Sequence, residues 1–341
     1  MGVDANFERS QIKLSIIIPI YNEEDNLDCL LKRVIKSLEI PNLNNLNYEI
    51  ICVNDGSCDK SLERLISYHQ QNSAIKIINL SRNFGKDIAL SAGLDFACGA
   101  AVIPLDADLQ DPPELIAALV EKWQEGYDVV YGTRRDRHGE TWLKRFSAAH
   151  FYRLIGRVSK VPIPEDTGDF RLMDRRVVEA LKQLPERNRF MKGLFAWVGY
   201  RQIAIAYDRD PRYAGKSKWN YWKLWNFALD GIAAFSSLPL KVWSYVGLMI
   251  SSMALVYAVF LVIRTLILGI DVPGYASLMV AVLFLGGIQL ISLGVIGEYL
   301  GRVYEEVKGR PLYLVRDLYG FEDPGHDHQV SPLSQSGREE R

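Results

Sequence analysis

The sequence predicts an α/β fold: a mostly parallel β-sheet covered on both faces by helices, then helices lying along a membrane surface and a two-helix transmembrane hairpin. Three observations predict it. Short, continuously apolar segments rich in Val and Ile alternate with longer segments of helical spacing up to residue 132, the signature of a parallel sheet buried on both faces. Acidic and polar clusters stand where three of those apolar segments end, which is where open α/β sheets bind their ligands. Two long uncharged runs, 242–263 and 275–296, follow near the C-terminus.

Residues 14–19, 49–54, 75–79, 101–105 and 128–132 read as strands, and 24–39, 59–71, 86–98 and 113–124 as the helices between them. Asp59 ahead of Lys60-Ser-Leu-Glu63, and Pro112-Pro113-Glu114 after the fourth strand, are helix-start signals. Residues 14–240 contain no repeat or linker, and a chain ending near Phe235 is expected to retain the sheet. Segments 141–160 and 219–235 join helical spacing to aromatic and basic residues, the composition of a helix lying in the headgroup plane. A core-facing aromatic stripe is the competing reading, and it is weaker for 219–235. That segment carries Trp219, Trp222 and Trp225 shortly before an apolar run, where aromatic residues concentrate at membrane interfaces.

As helices rising 1.5 Å per residue, the two uncharged runs would each be about 33 Å long, enough for a hydrocarbon core of about 30 Å. Residues 264–274 alone separate them, and Arg264 can snorkel from the end of the first span. Lys216, Lys218, Lys223 and Lys241 precede the hairpin, and Arg302, Lys308, Arg310 and Arg316 follow it. The positive-inside tendency then puts both flanks in the cytoplasm and the short loop outside. Residues 1–13 show no apolar signal core. The expected organisation is a cytosolic domain over 1–235, a membrane hairpin over 236–300 and a cytoplasmic segment over 301–341, disordered from about 322. The expected location is the inner (plasma) membrane, multi-pass, with the large domain cytoplasmic. A net charge of -1 gives no sign of a nucleic-acid partner. Cys29, Cys52, Cys58 and Cys98 form no Cys-x-x-Cys pair, so reduced thiols are expected.

The chemistry concentrates at the strand ends. The first strand runs into Pro19-Ile-Tyr21-Asn-Glu23-Glu, the second into Asn54-Asp55-Gly-Ser57, and the fourth into Asp106-Ala-Asp108-Leu-Gln110. Residues 106 and 108 of an extended segment point to the same side. Two carboxylates backed by a carboxamide suit a hard cation, Mg²⁺ or Mn²⁺, which is usually held by one or two carboxylates plus substrate phosphates. Tyr21 offers a ring to a base, and Asp55 can accept from a base or ribose donor. Singly, each cluster reads as turn chemistry, and Asn-Asp-Gly-Ser is a stock turn. Three in order at the right strand ends make a nucleotide-shaped set.

On these residues the sequence resembles the family 2 glycosyltransferases of GT-A fold, whose catalytic domain is Rossmann-like with a mostly parallel sheet. It is most similar to the polyprenyl-phosphate glycosyltransferases, which include dolichyl-phosphate mannosyltransferase and the bactoprenol glucosyltransferases. The matching stretches are Ile18-Pro-Ile-Tyr-Asn-Glu-Glu24, Val53-Asn-Asp-Gly-Ser57, Ser81-Arg-Asn-Phe-Gly-Lys86 and Asp106-Ala-Asp-Leu-Gln-Asp-Pro-Pro113. Gly132-Thr-Arg-Arg135, Asp166-Thr-Gly-Asp-Phe-Arg-Leu172 and Arg212-Tyr-Ala-Gly-Lys-Ser-Lys-Trp219 continue the match.

The resemblance implies that Pro19, Tyr21, Glu23 and Asp55 hold the nucleoside and that Asp106, Asp108 and Gln110 bind metal and donor. It implies that Arg134, Arg212, Lys216 and Lys218 grip the donor diphosphate and the acceptor phosphate; arginine suits bidentate phosphate contacts and lysine acts as a point charge. Asp166 and Asp169 fall where it puts the acceptor-side acids, which with Asp108 make up the catalytic centre; helix capping is the competing reading of Asp166. The implied enzyme is a metal-dependent, inverting transferase that moves one sugar to a polyprenyl phosphate, with glucose from UDP-glucose favoured. The Gln-x-x-Arg-Trp signature of processive synthases is absent from 187–199, which argues for a single transfer. GDP-mannose or a UDP-amino sugar as donor stays open, as does a homo-oligomer. Outside enzymes, a non-catalytic membrane scaffold or a flippase subunit is the alternative; two helices make no obvious translocation path, and the acidic triplet has no use in a scaffold.

Overall fold

A computed structural model of the chain describes residues 13–40, 46–134, 167–184, 186, 187, 189, 191–208, 238–268 and 274–321. These residues fall into two compact units, one built on the sheet and including the chain from Arg310, the other holding two long helices.

The central strands of the first unit are β1 (Leu14–Ile20), β2 (Tyr48–Asn54), β3 (Ile75–Leu80) and β4 (Ala101–Pro104), paired in parallel in the order β4-β1-β2-β3. Ile16, Ile17 and Ile18 of β1 are all fully buried. Consecutive residues of a strand face opposite sides, so burial of all three means both faces are covered. That is why these strands read as unbroken apolar runs instead of alternating ones.

Helices α1 (Leu27–Leu38), α2 (Ser61–Gln71), α3 (Lys86–Phe96) and α4 (Ile116–Gln124) lie where helical spacing predicted them. On α1 the buried positions Leu27, Leu30, Leu31, Val34 and Leu38 form one stripe at i, i+3, i+4. Each such side chain stabilises the fold by roughly 1.5–3 kcal/mol through burial. Asp59 acts at the start of α2 as predicted, its carboxylate accepting the Ser61 N–H at 3.0 Å. Pro113–Leu115 forms a 3₁₀ turn leading into α4. On α3, Gly93 presses against β1: a Cβ there would lie 2.2 Å from Ile17 Cγ2.

Two features lie beyond what the sequence reading gave. The predicted strand at 128–132 forms as β5 (Val129–Arg134) but does not neighbour β4. Between them runs β6 (Thr167–Asp174), antiparallel to both, while β7 (Gln202–Tyr207) pairs in parallel with β5. After β6 come α5 (Arg175–Lys182), capped by the Asp174 carboxylate on the Arg176 N–H, and α6 (Met191–Trp197). The sheet is also not complete within 14–240. Strand β8 (Val315–Tyr319) pairs antiparallel with β3, Asn79 opposite Asp317, giving the order β7-β5-β6-β4-β1-β2-β3-β8. A chain ending near Phe235 would therefore lack an edge strand and leave β3 groups unpaired.

The second unit contains α7 (Leu238–Leu268) and α8 (Tyr275–Val307), about 46 and 50 Å long at 1.5 Å per residue. Both outrun the predicted spans. Leu248, Val256, Leu266 and Leu290 stand exposed on their surfaces. Among the described residues one stretch, Phe284–Val307, is long and apolar enough to cross a membrane, and Tyr245–Tyr257 is a shorter apolar stretch. The segments 141–160 and 219–235, the loop at 269–273 and the tail from 322 lie outside the described residues. All four cysteines are free, and burial pushes the Cys52 thiol up to about 12.

Candidate active site

The parallel strands direct the C-terminal ends of β1 to β5 and of β7 to one edge of the sheet, where the loops interlock. The Asn22 N–H donates to Ser57 Oγ at 3.0 Å and the Cys58 N–H returns to Asn22 Oδ1 at 2.8 Å. Glu24 N–H donates to Asp59 Oδ2 at 3.2 Å, and Lys60 N–H to Glu24 Oε2 at 2.9 Å. Asn22 takes a left-handed conformation, φ 53°, which Asn tolerates better than most residues. These reciprocal bonds bind the β1–α1 and β2–α2 loops into one floor. Pro19 and Glu23 are half-buried in it and Tyr21 is 37% exposed. Glu23 accepts from Asn26 Nδ2 at 2.6 Å.

Asp55, expected to meet the nucleoside, is buried and has a second task. Its carboxylate accepts the N–H groups of Phe84 (2.7 Å) and Gly85 (3.0 Å), holding the β3–α3 loop. Burial raises its pKa, opposed by those two bonds and by Arg82. Each carboxylate oxygen keeps a lone pair after one bond, and that is what Asp55 can still offer a ligand. Gly56 explains the tightness here: at φ 67° a Cβ would sit 2.5 Å from both Arg82 C and Asn83 N. Beside it Asn54 Nδ2 donates to Asn79 Oδ1 (2.8 Å), and Asn79 Nδ2 to Asp317 Oδ2 of β8 (2.7 Å).

The acidic triplet lies beyond the end of β4, in a turn, and not on the strand as the alternation argument assumed. The alternation nevertheless survives: Leu105, Ala107 and Leu109 are buried, while Asp106, Asp108 and Gln110 are partly exposed. Asp108 Oδ1 accepts the Gln110 N–H at 3.2 Å. Leu109 between them has φ 60°, a conformation that costs a residue with a Cβ about 1–2 kcal/mol, the kind of strain that collects at functional sites. Asp111 is buried and accepts from the Tyr207 hydroxyl at the end of β7. Gly132 of β5 makes room for that ring, since a Cβ would lie 2.7 Å from Tyr207 Cε1.

The residue that joins the site is Lys86, the first residue of α3. Its Nζ lies 2.6 Å from Asp106 Oδ1 and 2.9 Å from Oδ2, and 2.5 Å from Asp169 Oδ2. The β4/β6 register explains the meeting: Ala101 opposes Asp174 and Val102 opposes Met173, and continuing that step brings Asp169 level with Asp106. Loss of water around the ammonium, wedged between two carboxylates at the end of a half-exposed stem, works against its charge, but the carboxylates of Asp106 and Asp169 outweigh it and hold the Lys86 pKa well above that of an ordinary lysine. Sequence reading missed Lys86, although it ends the stretch Ser81-Arg-Asn-Phe-Gly-Lys86. The available signal was a cation in the first turn of a helix, where the macrodipole disfavours one unless acids are near. Arg171 was missed too. It is buried, with its guanidinium 4.0 Å from the Phe195 ring centroid and Nη2 donating to Gly168 O at 2.8 Å. Burial pushes its pKa down to about 10, against the pull of Asp169.

Arg134 sits at the end of β5, in register with Tyr207, and so at the same edge. Asp166, Arg212, Lys216 and Lys218 lie outside the described residues. Among the described residues no three His, Cys, Asp or Glu side chains form a complete metal cluster. Asp106 and Asp108 nonetheless fit a hard divalent cation that completes its shell with donor phosphates. Asp106 already holds a cationic group at contact distance.

The family model for glycosyl transferase family 2 matches residues 15–182, and that for the GtrB C-terminal hairpin matches 238–303. The glycosyltransferase sll0501 of Synechocystis is 69% identical over 311 residues, 91% of this chain and 97% of that protein. The SfII prophage-derived bactoprenol glucosyl transferase of Shigella flexneri is 48% identical over 305 residues, 89% of this chain and 98% of that protein. The prophage bactoprenol glucosyl transferase homolog of Escherichia coli is 46% identical over 305 residues, 89% and 99% of the two chains. With a catalytic-domain match, a C-terminal hairpin match and identity running nearly end to end, the chain belongs to glycosyl transferase family 2, among the members that carry the GtrB hairpin.

Proposed function

We propose that this glycosyltransferase moves glucose from UDP-glucose to a polyprenyl phosphate at the cytoplasmic face of the plasma membrane, inverting the anomeric carbon. The observation that carries the reading is the meeting of Asp106, from the donor-side turn, with Asp169, from the strand that begins just after Asp166, on one Lys86 ammonium. The bactoprenol glucosyl transferases among the relatives support the choice of sugar and acceptor. In this reading α7 and α8 are a two-pass anchor, and 141–160 and 219–235 lie along the headgroups so that the acceptor stays in the bilayer.

Pro19, Tyr21, Glu23 and Asp55 form the nucleoside floor. Asp106, Asp108 and Gln110 hold Mg²⁺ or Mn²⁺ with the donor diphosphate. The bound cation supplies charge stabilisation for the departing diphosphate. Arg134, Arg212, Lys216 and Lys218 bind phosphate oxygens on the donor and acceptor sides. A phosphate oxygen of the lipid attacks the sugar's anomeric carbon from the face opposite UDP. The new bond from that phosphate oxygen to the anomeric carbon forms as the bond from the carbon to the UDP oxygen breaks, and UDP leaves with the electron pair. A lipid monophosphate, with a second pKa of about 6, already carries nucleophilic oxygen near neutral pH. Asp166 therefore mainly orients the acceptor and the donor sugar, and takes a proton only when the acceptor arrives as the monoanion.

The test is a transfer assay with purified full-length protein, undecaprenyl phosphate, and UDP-glucose, GDP-mannose or UDP-N-acetylglucosamine in parallel. Glucose transfer that stops with chelator and returns with Mg²⁺ or Mn²⁺ is the expected result. Transfer from GDP-mannose alone, or full activity in excess chelator, would overturn the donor or the metal assignment respectively.

A further inference from the structure

We propose that Lys86 is a resident counter-cation of the donor site: it holds Asp106 and Asp169 together in the metal-free enzyme and yields Asp106 when a divalent cation binds. The inference rests on the reading of Asp106 as a metal ligand. The Lys86 ammonium contacts both oxygens of Asp106, at 2.6 and 2.9 Å, and Asp169 Oδ2 at 2.5 Å. It is thus seated against the oxygens that a metal on Asp106 needs, and two cations cannot share that contact without strong repulsion.

Placement supports an exchange rather than a fixed structural bridge. Lys86 opens α3, with its side chain 45% exposed, against 24% for Asp106 and 11% for Asp169. A half-exposed, flexible lysine stem can withdraw without opening the core. One ammonium between two carboxylates leaves a net charge of −1 on the trio, which still attracts a divalent ion. Asp169 remains as a tether when Asp106 is surrendered, leaving the ammonium beside the site where the donor diphosphate arrives. The arrangement predicts weak metal binding before nucleotide and a folded, bridged site without metal.

The experiment titrates nucleotide-free, full-length protein in detergent with Mn²⁺ and follows the free-ion electron paramagnetic resonance signal. Lys86→Met, which keeps the stem and removes the charge, should bind Mn²⁺ about tenfold tighter than wild type or better, the scale of one charge-assisted contact. Lys86→Arg should stay near wild type. Equal or weaker Mn²⁺ binding by Lys86→Met, or no Mn²⁺ uptake by any of the three, overturns the proposal. Should Lys86→Met not fold, the wild-type protein answers: mass-spectrometric labelling of Lys86 with an amine-reactive reagent should speed up several-fold when Mn²⁺ alone fills the site. Unchanged labelling at filling Mn²⁺ overturns it as well. Absent glucose transfer with the Mn²⁺ difference intact would sink the proposed reaction and leave the role of Lys86 standing. Metal-dependent transfer with equal Mn²⁺ affinities would sink only the role of Lys86.

Discussion

Replacing Gly56 by alanine should damage the site more than its one added methyl suggests. Gly56 has φ 67°, and the new Cβ would lie 2.5 Å from Arg82 C and Asn83 N and 2.9 Å from Arg82 Cα. All three are backbone atoms, so no rotamer change relieves the contact. The left-handed conformation alone costs about 1–2 kcal/mol. Relief of the clash must separate the β2–α2 loop from the β3–α3 loop, and that stretches the bonds from Phe84 and Gly85 to Asp55. Losing one hydrogen bond to a charged group adds about 1.5–3 kcal/mol, for a total of about 2.5–5 kcal/mol. Gly126→Ala is the matched control: its φ is 95°, but the nearest atom to a new Cβ is Arg201 Nη1 at 3.8 Å, so only the conformational cost of about 1–2 kcal/mol applies. Thermal unfolding, at about 2–4 °C per kcal/mol for a domain of this size, should place Gly56→Ala well below Gly126→Ala. Calorimetry should show weakened UDP binding for Gly56→Ala alone. Equal melting temperatures for the two variants, or unchanged UDP affinity in Gly56→Ala, would refute the reasoning.

Asp108→Asn should lose at least about a hundredfold in transfer rate, comparable to removing a main electrostatic stabiliser; near-normal turnover in a radiolabelled-sugar assay would remove Asp108 from the metal site. Asp317→Ala strands the buried Asn79 amide and should cost about 1–3 kcal/mol and weaken UDP binding, whereas Asp317→Asn, which keeps an acceptor, should restore most of both; no rescue by asparagine would break the proposed link from β8 to the Asn54-Asp55 loop. At low pH, Asp174 should matter for stability. Burial pushes its carboxyl up, but the bonds from Trp123 and Arg176 hold it below its ordinary value. Its stabilisation is therefore present above about pH 4 and lost as pH falls through the lowered folded value. Asp55, raised by burial, works in the opposite sense. A denaturation series from pH 6 to 3 should show a shallower acid loss in Asp174→Asn; an unchanged slope rejects the assignment. Asp166→Asn should slow transfer severely with UDP binding intact and regain part of the loss at high pH; equal loss at pH 6 and pH 8.5 would eliminate its proton-accepting role.

Much of this protein was legible in one dimension because the governing signals are local. The strands announce themselves as unbroken Val and Ile runs since both faces of a parallel sheet are buried. Gly56 and Asp59 sit in turn and cap positions whose backbone needs are set by immediate neighbours. The gathering of the Tyr21, Asp55 and Asp106 clusters at one edge follows from the same logic, because every parallel strand delivers its C-terminal residues there. Even the partly exposed set of Asp106, Asp108 and Gln110 follows a period of two within the chain.

What only the tertiary structure decided depends on contacts between residues far apart in sequence. The antiparallel β6 separates β5 from β4 and brings Asp169 level with Asp106, a register that nothing local to either residue encodes. Lys86 becomes a site residue only because that register offers it two carboxylates. Asp55 looked like a ligand contact and is also the clasp of a loop some thirty positions on. Strand β8 returns after the two long helices to cover β3, and its short, charged sequence carries no apolar period. An edge strand with one side to solvent has no need of one. Its place is set by the unpaired backbone groups of its neighbour, a demand that appears only once the sheet has formed.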